Sequence, residues 1–200
     1  MNALVDLTSA ALLTVDLQEG ILRRLPSGLV APVLANSLRL AEAFACAGRP
    51  VIAVSLDFDH AAAAPTNTQA DIAPPAGDVR PGDAAIPAEL LGSVSHHVAK
   101  LRWSAFDNST LSLLLTELGV EKIVLCGLAT AIAVESTARA AFERGLPVVV
   151  AIDAVADAPE RHENSLNFVL PLLAALRTTE TIVRSLEPLV TEPTLTLPSR

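Results

Sequence analysis

Lysine is nearly absent from this 200-residue chain. There are two, Lys100 and Lys122, against twelve arginines. In a chain that prefers arginine so strongly, each lysine is a candidate for chemistry, because an ammonium can shift its pKa into a working range and a guanidinium cannot; the alternative is two surface lysines by chance. Cysteine is equally scarce. Cys46 and Cys126 cannot make a disulfide framework. Basic charge is short as well: the formal net charge is −8, which argues against nucleic acid as a partner, since phosphates need clustered Lys and Arg. No apolar run approaches the ~20 residues that span a bilayer. The opening MNALVDLTSA has no basic region followed by an apolar core, so it does not read as a signal peptide. A cytoplasmic protein with no membrane or nucleic-acid partner is the expectation. Against these absences stands a hydrophobic fraction of 51%. That is enough for a sizeable core and excludes a disordered chain. The length suits one domain over 1–200, with a proline-punctuated tail at 187–200.

Along the chain, short apolar runs alternate with helical periodicity. The runs are "ALLTVD" at 11–16, "VIAVSL" at 51–56, the weaker "HHVAK" at 96–100, "KIVLCG" at 122–127, "PVVVAID" at 147–153 and a short one at 174–177. Helical patterns cover 29–48, 110–119, 131–145, 160–173 and 179–186. Gly48 stops the first of these, and Pro171 should end or kink the fourth. Residues 58–95 are rich in Ala, Pro, Gly and Asp and read as a long excursion with little regular structure. No internal repeat or interdomain linker is visible. Strands alternating with helices predict a parallel sheet with helices on both faces.

Ligands of such folds bind beyond the carboxyl ends of the strands. The first run delivers Asp16, followed by Gln18, to that edge. The third delivers Lys100. The fourth ends at Gly127 and opens through Leu128, Ala129, Thr130 and Ala131 into a helix. A carboxylate, an ammonium and a set of backbone amides therefore converge. An acid and an amine within ~4–6 Å can exchange a proton at neutral pH, or simply form a salt bridge between strand ends. The amides of a helix start favour an anion or a developing oxyanion, unless the turn is a plain connection. Trp103 and Phe106 either wall a pocket or belong to the core. Arg102 adds positive charge nearby. Cys126 lies inside its strand, where a thiol is usually a small hydrophobe. Asp57, Asp59 and His60 in "DFDH" are ligand types, but a usual metal site needs three or four well-placed groups. His96 and His97 cannot both face one side of a strand, so no metal is expected. His162, with Asn164, reads as a cap or an interface residue.

Four motifs together resemble the isochorismatase-like hydrolases, or cysteine hydrolase superfamily, which includes nicotinamidases, N-carbamoyl amidases and isochorismatases. They are "LLTVDLQEGIL", "KLRWSAFDNSTL", "VLCGLATAIAVESTARAAFERG" and "VVAIDAVAD", and the resemblance runs over about 10–187. It implies a three-layer α/β/α sandwich around a parallel six-stranded sheet, a homo-oligomer (dimer or tetramer), a small-molecule substrate and no cofactor. In thiol-dependent members the catalytic trio is Asp, Lys and Cys. The first two map onto Asp16 and Lys100, with Gln18 as an orienting neighbour. The third maps onto Ala133. The resemblance also implies a cis Leu128–Ala129 peptide that aims the amides of Ala129 and Ala133 into the pocket as an oxyanion hole. Leu128, Ala129, Thr130, Arg102, Trp103 and Phe106 become substrate-binding candidates. A methyl group cannot attack a carbonyl, which closes the acyl-enzyme route. Three readings follow. The chain is a thiol-free hydrolase of a small anionic metabolite, with Asp16 as acid or base; or it binds a ligand without turning it over; or Ala133 replaces the cysteine of an amidase. "KLRWSAF" resembles the isochorismatase version of the lysine segment, whereas "GLATAIAVESTAR" resembles a separate branch that also lacks the cysteine.

Overall fold

Six apolar runs pair into one all-parallel sheet in the computed structural model, in the order β3-β2-β1-β4-β5-β6. The strands are β1 (Ala10–Val15), β2 (Val51–Leu56), β3 (His96–Lys100), β4 (Lys122–Leu128), β5 (Val148–Ala156) and β6 (Ala175–Arg177). The structure describes residues 3–61, 71, 80–107 and 109–186. The expected tail at 187–200 and residues 62–70 and 72–79 of the 58–95 excursion lie outside the described residues.

The central strands β1 and β4 are buried along nearly their whole length. This is why they read as continuous apolar runs rather than alternating ones: both faces are covered. On one face Leu12, Val124, Cys126 and Val149 meet α2 (Ser27–Cys46) and α9 (Thr179–Leu186). On the other, Leu13, Ile123, Leu125 and Val150 meet α5 (Leu111–Glu117), α6 (Glu135–Glu143) and α8 (Leu170–Leu173). The architecture is a three-layer α/β/α sandwich. By length and composition alone, α2 could cross a membrane; here its Val33, Ser37, Leu40, Ala41 and Phe44 are buried against the sheet side of the fold.

Several elements differ from the periodicity reading, each for a local reason. The expected excursion contains short helices, α3 (Phe58–Ala61) and α4 (Ala88–Leu91), and α1 (Glu19–Leu22) follows β1 directly. Four-residue helices barely exceed one 3.6-residue turn, too short for the repeat that would reveal them. The helix expected at 131–145 opens as a π-helical turn, Thr130–Val134, before α6. The pattern at 160–173 is split into α7 (Pro159–Asn164), a second π-helical turn over Ser165–Val169, and α8. Pro171 sits at the start of α8, where its missing N–H and its ring are tolerated. Strand β5 runs three residues beyond the expected 153, and its register with β4 shifts between Leu125 and Gly127. That irregularity carries the strand on to Asp157.

The order of strands reverses between β1 and β4. This is the switch point where α/β sheets open a crevice at their carboxyl edge. One glycine makes the close approach there possible. Gly127 has φ +120, and a Cβ on it would lie 2.0 Å from the Val15 carbonyl oxygen. The end of β4 therefore lies directly against the end of β1, one residue before Asp16.

Candidate active site

Asp16 leaves β1 in the left-handed region, at φ 54. This turns the chain sharply and is uncommon for a residue other than glycine, though Asp tolerates it better than most. Its Oδ2 accepts a hydrogen bond from Lys100 Nζ at 2.9 Å. Lys100 is 1% exposed and Asp16 7%. The ammonium also donates to the Arg102 carbonyl at 2.9 Å. Burial pushes the Asp16 carboxyl above the usual carboxylate range, and the neighbouring Lys100 pulls against that shift. Its second oxygen, Oδ1, is buried and has no hydrogen-bond partner among the described residues. A buried oxygen without a partner is costly in a plain structural pair, so the salt-bridge reading does not account for the whole group.

Gln18 fixes the floor beside this pair. Its Oε1 accepts from the Leu56 amide at 2.7 Å, and its Nε2 donates to the Leu56 carbonyl at 3.0 Å and the Ala84 carbonyl at 3.3 Å. It thus ties the end of β2 and the 80–85 segment to the turn after β1, which is a positioning task. Asp83, which the sequence reading did not single out, supports the same turn. Its buried carboxylate pairs with Arg23 and accepts the Arg80 amide. The Arg80 amide and the Arg23 charge hold it below the usual range against the opposing effect of burial. A Cβ on Gly20 would meet Asp83 Cβ at 2.6 Å, so α1 fits onto this segment only with glycine at that position.

The turn after β4 is held from the other side. The Leu128–Ala129 peptide is cis. The side chain of Leu128 is buried in the α2-side core, which leaves only its backbone for a site. The Ala133 amide donates to the Ala129 carbonyl at 3.0 Å. The resemblance implied that this amide is aimed into the pocket; here it already has an acceptor within the turn. The Ala131 amide donates to Asp157 Oδ2 at 3.1 Å. Asp157 Oδ1 accepts from the Ala158 amide at 2.7 Å and from the Arg161 guanidinium at 2.7 and 3.1 Å. The Thr130 hydroxyl, fully buried, lies 2.9 Å from His162 Nδ1. Asp157, which the sequence reading quoted only within a motif, and His162, read there as a cap or an interface residue, are the neighbours that hold this turn. Asp157 closes the "VVAIDAVAD" motif, and its position just before Ala-Pro at the start of α7 was the available signal.

The other candidates separate. Ala133 is 3% exposed and belongs to the core on the α6 side. Phe106 joins the same core, with the Arg144 guanidinium 4.7 Å from its ring centroid, so its role is packing. Trp103 is 60% exposed. Cys126 is fully buried, and burial pushes its thiol up to about 12; it is a core residue and no thiolate. Asp57 spends its carboxylate on the amides of Asp59 and His60 and on His60 Nδ1. Lys122 donates to the Asp6 carbonyl, so of the two lysines only Lys100 reaches the candidate site. Two of the concavities among the described residues include neither Asp16 nor Lys100, although the second reaches Asp157 and His162. One, of about 900 Å³, runs between residues 4–8 and the ends of α2 and α9. The other, of about 410 Å³, lies between α2, the end of β5 and α7.

Comparison with known proteins agrees with this fold. The isochorismatase domain model matches residues 10–181. An uncharacterized isochorismatase family protein, YecD, of Escherichia coli O157:H7 is 36% identical over 181 residues, covering 89% of this chain and 96% of the relative. The corresponding Bacillus subtilis protein YwoC is 36% identical over 185 residues, covering 90% and 96%. The solved structure of an isochorismatase family protein from Burkholderia thailandensis superposes with a TM-score of 0.83 at 32% identity, covering 93% of this chain and all of that one. With the fold, the motifs and this similarity in agreement, the chain belongs to the isochorismatase family of hydrolases.

Proposed function

We propose that this chain hydrolyses a small anionic metabolite, at a vinyl ether or an amide-type bond, without a thiol nucleophile. The observation that carries this reading is the buried Asp16–Lys100 pair at 2.9 Å, whose second carboxylate oxygen has no hydrogen-bond partner within bonding distance among the described residues, the Leu56 amide lying near the carboxyl. A carboxyl group held above its usual range keeps its proton to a higher pH, which suits a general acid. For a vinyl ether, Asp16 gives its proton to the terminal carbon, the ether oxygen stabilises the resulting cation, and water adds to release an alcohol and a ketone. Lys100 then balances the carboxylate that is left. For an amide-type bond the same carboxylate takes a proton from the attacking water. The turn of Leu128, Ala129 and Thr130 offers backbone polarity to a substrate oxygen. Lys100 is engaged by Asp16 and the Arg102 carbonyl, and the net positive charge of Lys100 and Arg102 together with the backbone of this turn is what favours an anion. A cytoplasmic homo-oligomer, dimer or tetramer, completes the proposal.

The test compares wild type with Asp16→Asn against isochorismate and a panel of small amides. Loss of general acid catalysis predicts a drop of about 10²–10⁴-fold in kcat. Wild-type activity should also fall as pH rises through the raised carboxyl pKa. The buried methyl of Ala133 favours one rival, a binder without turnover. Binding of an anion with no turnover in either protein would establish it.

A further inference from the structure

We infer that His162 is a positioning residue that holds the Thr130 hydroxyl and, through it, the turn between β4 and α6. The inference rests on the proposed reading in which that turn meets the substrate. His162 is half-buried in α7, and its Nδ1 lies 2.9 Å from Thr130 Oγ1. Whichever of the two atoms carries the proton, the contact fixes the first residue of the π-helical turn Thr130–Val134. The turn needs such a hold. Ala129 acts as its hub, since its carbonyl accepts from the amides of Ile132, Ala133 and Val134 at 3.2, 3.0 and 3.2 Å. Three donors crowd one acceptor, so the geometry of the turn depends on where its start is held. Two side chains from the end of β5 and α7 provide that: Asp157 takes the Ala131 amide, and His162 takes the Thr130 hydroxyl. The histidine is itself located by backbone, because its amide donates to the Ala158 carbonyl at 2.9 Å. The Ala158 amide in turn is capped by Asp157 at 2.7 Å. The two ties therefore share one anchor. Position 133, in the middle of the turn, moves with them.

A thiol placed at position 133 makes the turn's geometry measurable without a known substrate. In the Ala133→Cys background, thiolate formation is followed by absorbance against pH and read as a difference from the parent chain, which cancels Cys46 and Cys126. Burial raises a thiol at this position, and the prepared site predicts one titrating well below the buried Cys126, which burial pushes up to about 12. His162→Ala and Thr130→Val should each raise it by roughly half to one pH unit, the scale of one hydrogen bond. Together they should do no more than either alone, because both remove one contact. Thr130→Val adds or removes no ionisable group, so its effect reports geometry rather than charge. His162→Asn, which offers a polar atom near the place of Nδ1, should restore the parent value. A depressed thiol that neither His162→Ala nor Thr130→Val moves overturns the inference and leaves the proposed site standing. A thiol as high as that of the buried Cys126 overturns both, since no prepared turn is then present. If His162→Ala does not fold, Thr130→Val and His162→Asn still decide.

Discussion

At the scale of single residues, Asp16 and Lys100 are not symmetric partners. Burial raises the carboxyl even with the ammonium at 2.9 Å, so the charged form of Asp16 is disfavoured in the fold. A folded-state pKa above the unfolded value of 3.8 means the native state binds the proton more tightly. That contribution is fully present below about pH 4 and is lost as pH rises through the folded pKa. Asp16→Asn mimics the protonated form and does not titrate. We expect it to lower kcat by about 10²–10⁴-fold and, because it leaves the buried Lys100 ammonium without its carboxylate, to unfold at lower urea than wild type at neutral pH. Lys100→Met breaks the same pair from the other side. It strands a buried carboxylate and should cost about 3–5 kcal/mol at neutral pH, with much of that recovered in the double variant. Urea midpoints at unchanged m-values measure all three. The same pair shows how far residues could be read in advance. The scarcity of lysine singled out Lys100, and strand ends singled out Asp16. Gln18, also at that edge, proved to be a brace between Leu56 and Ala84. The engagement of the Ala133 amide was invisible, because no side-chain pattern encodes which backbone donors a turn consumes.

At the scale of elements, long strands and helices were legible because periodicity reports burial, and burial of both faces makes β1, β2 and β4 unmistakable. What escaped was short or shaped by one contact. The two π-helical turns look like ordinary helix in sequence, since a bulge of one residue barely alters an apolar pattern. The extension of β5 past Asp153 was hidden by an acid that looked like a strand end. Instead Asp153 accepts the Thr179 amide and hydroxyl at 2.7 and 2.9 Å, anchoring the start of α9, while the strand continues to Asp157. This makes Asp157 the element-level hinge pin, for it joins β5, α7 and the turn before α6. Asp157→Ala would leave the Ala131 and Ala158 amides without their acceptor, a loss of about 1–3 kcal/mol for each unsatisfied buried group. Hydrogen exchange should show it locally. Residues 130–134 and 158–162 are expected to exchange faster by ~10-fold or more, while the amides of β1 and β2 keep their protection. Uniform acceleration across the sheet would instead mark Asp157 as a general stabiliser.

At the scale of the whole molecule, the two helical layers differ in what they show to solvent. Leu113 on α5, Phe142 on α6, and Phe168 and Leu172 beside each other around α8 are 62%, 53%, 71% and 76% exposed. All four come from the layer that covers Leu13, Leu125 and Val150, whereas α9 and most of α2 on the opposite layer expose no side chain of that kind beyond Leu29. Leu91, Trp103 and Leu4 are also exposed, away from this set, and scattered apolar side chains are normal; we propose that the denser set on one layer is an association face. The negative net charge of −8 works against self-association, so the apolar contact has to outweigh that repulsion, and salt should strengthen it by screening. Light scattering is expected to give a mass of two or more chains for the wild type, more firmly so at higher salt. Phe168→Glu with Leu172→Glu places carboxylates at the two most exposed positions and should return a single-chain mass with the far-ultraviolet spectrum unchanged. The Asp16–Lys100 pair lies at the carboxyl edge of the sheet, on strands rather than on this layer. If the assembly serves only stability, the dissociated variant should keep wild-type kcat and lose thermal stability. A collapse of kcat in a folded single chain would mean that a second copy completes the site.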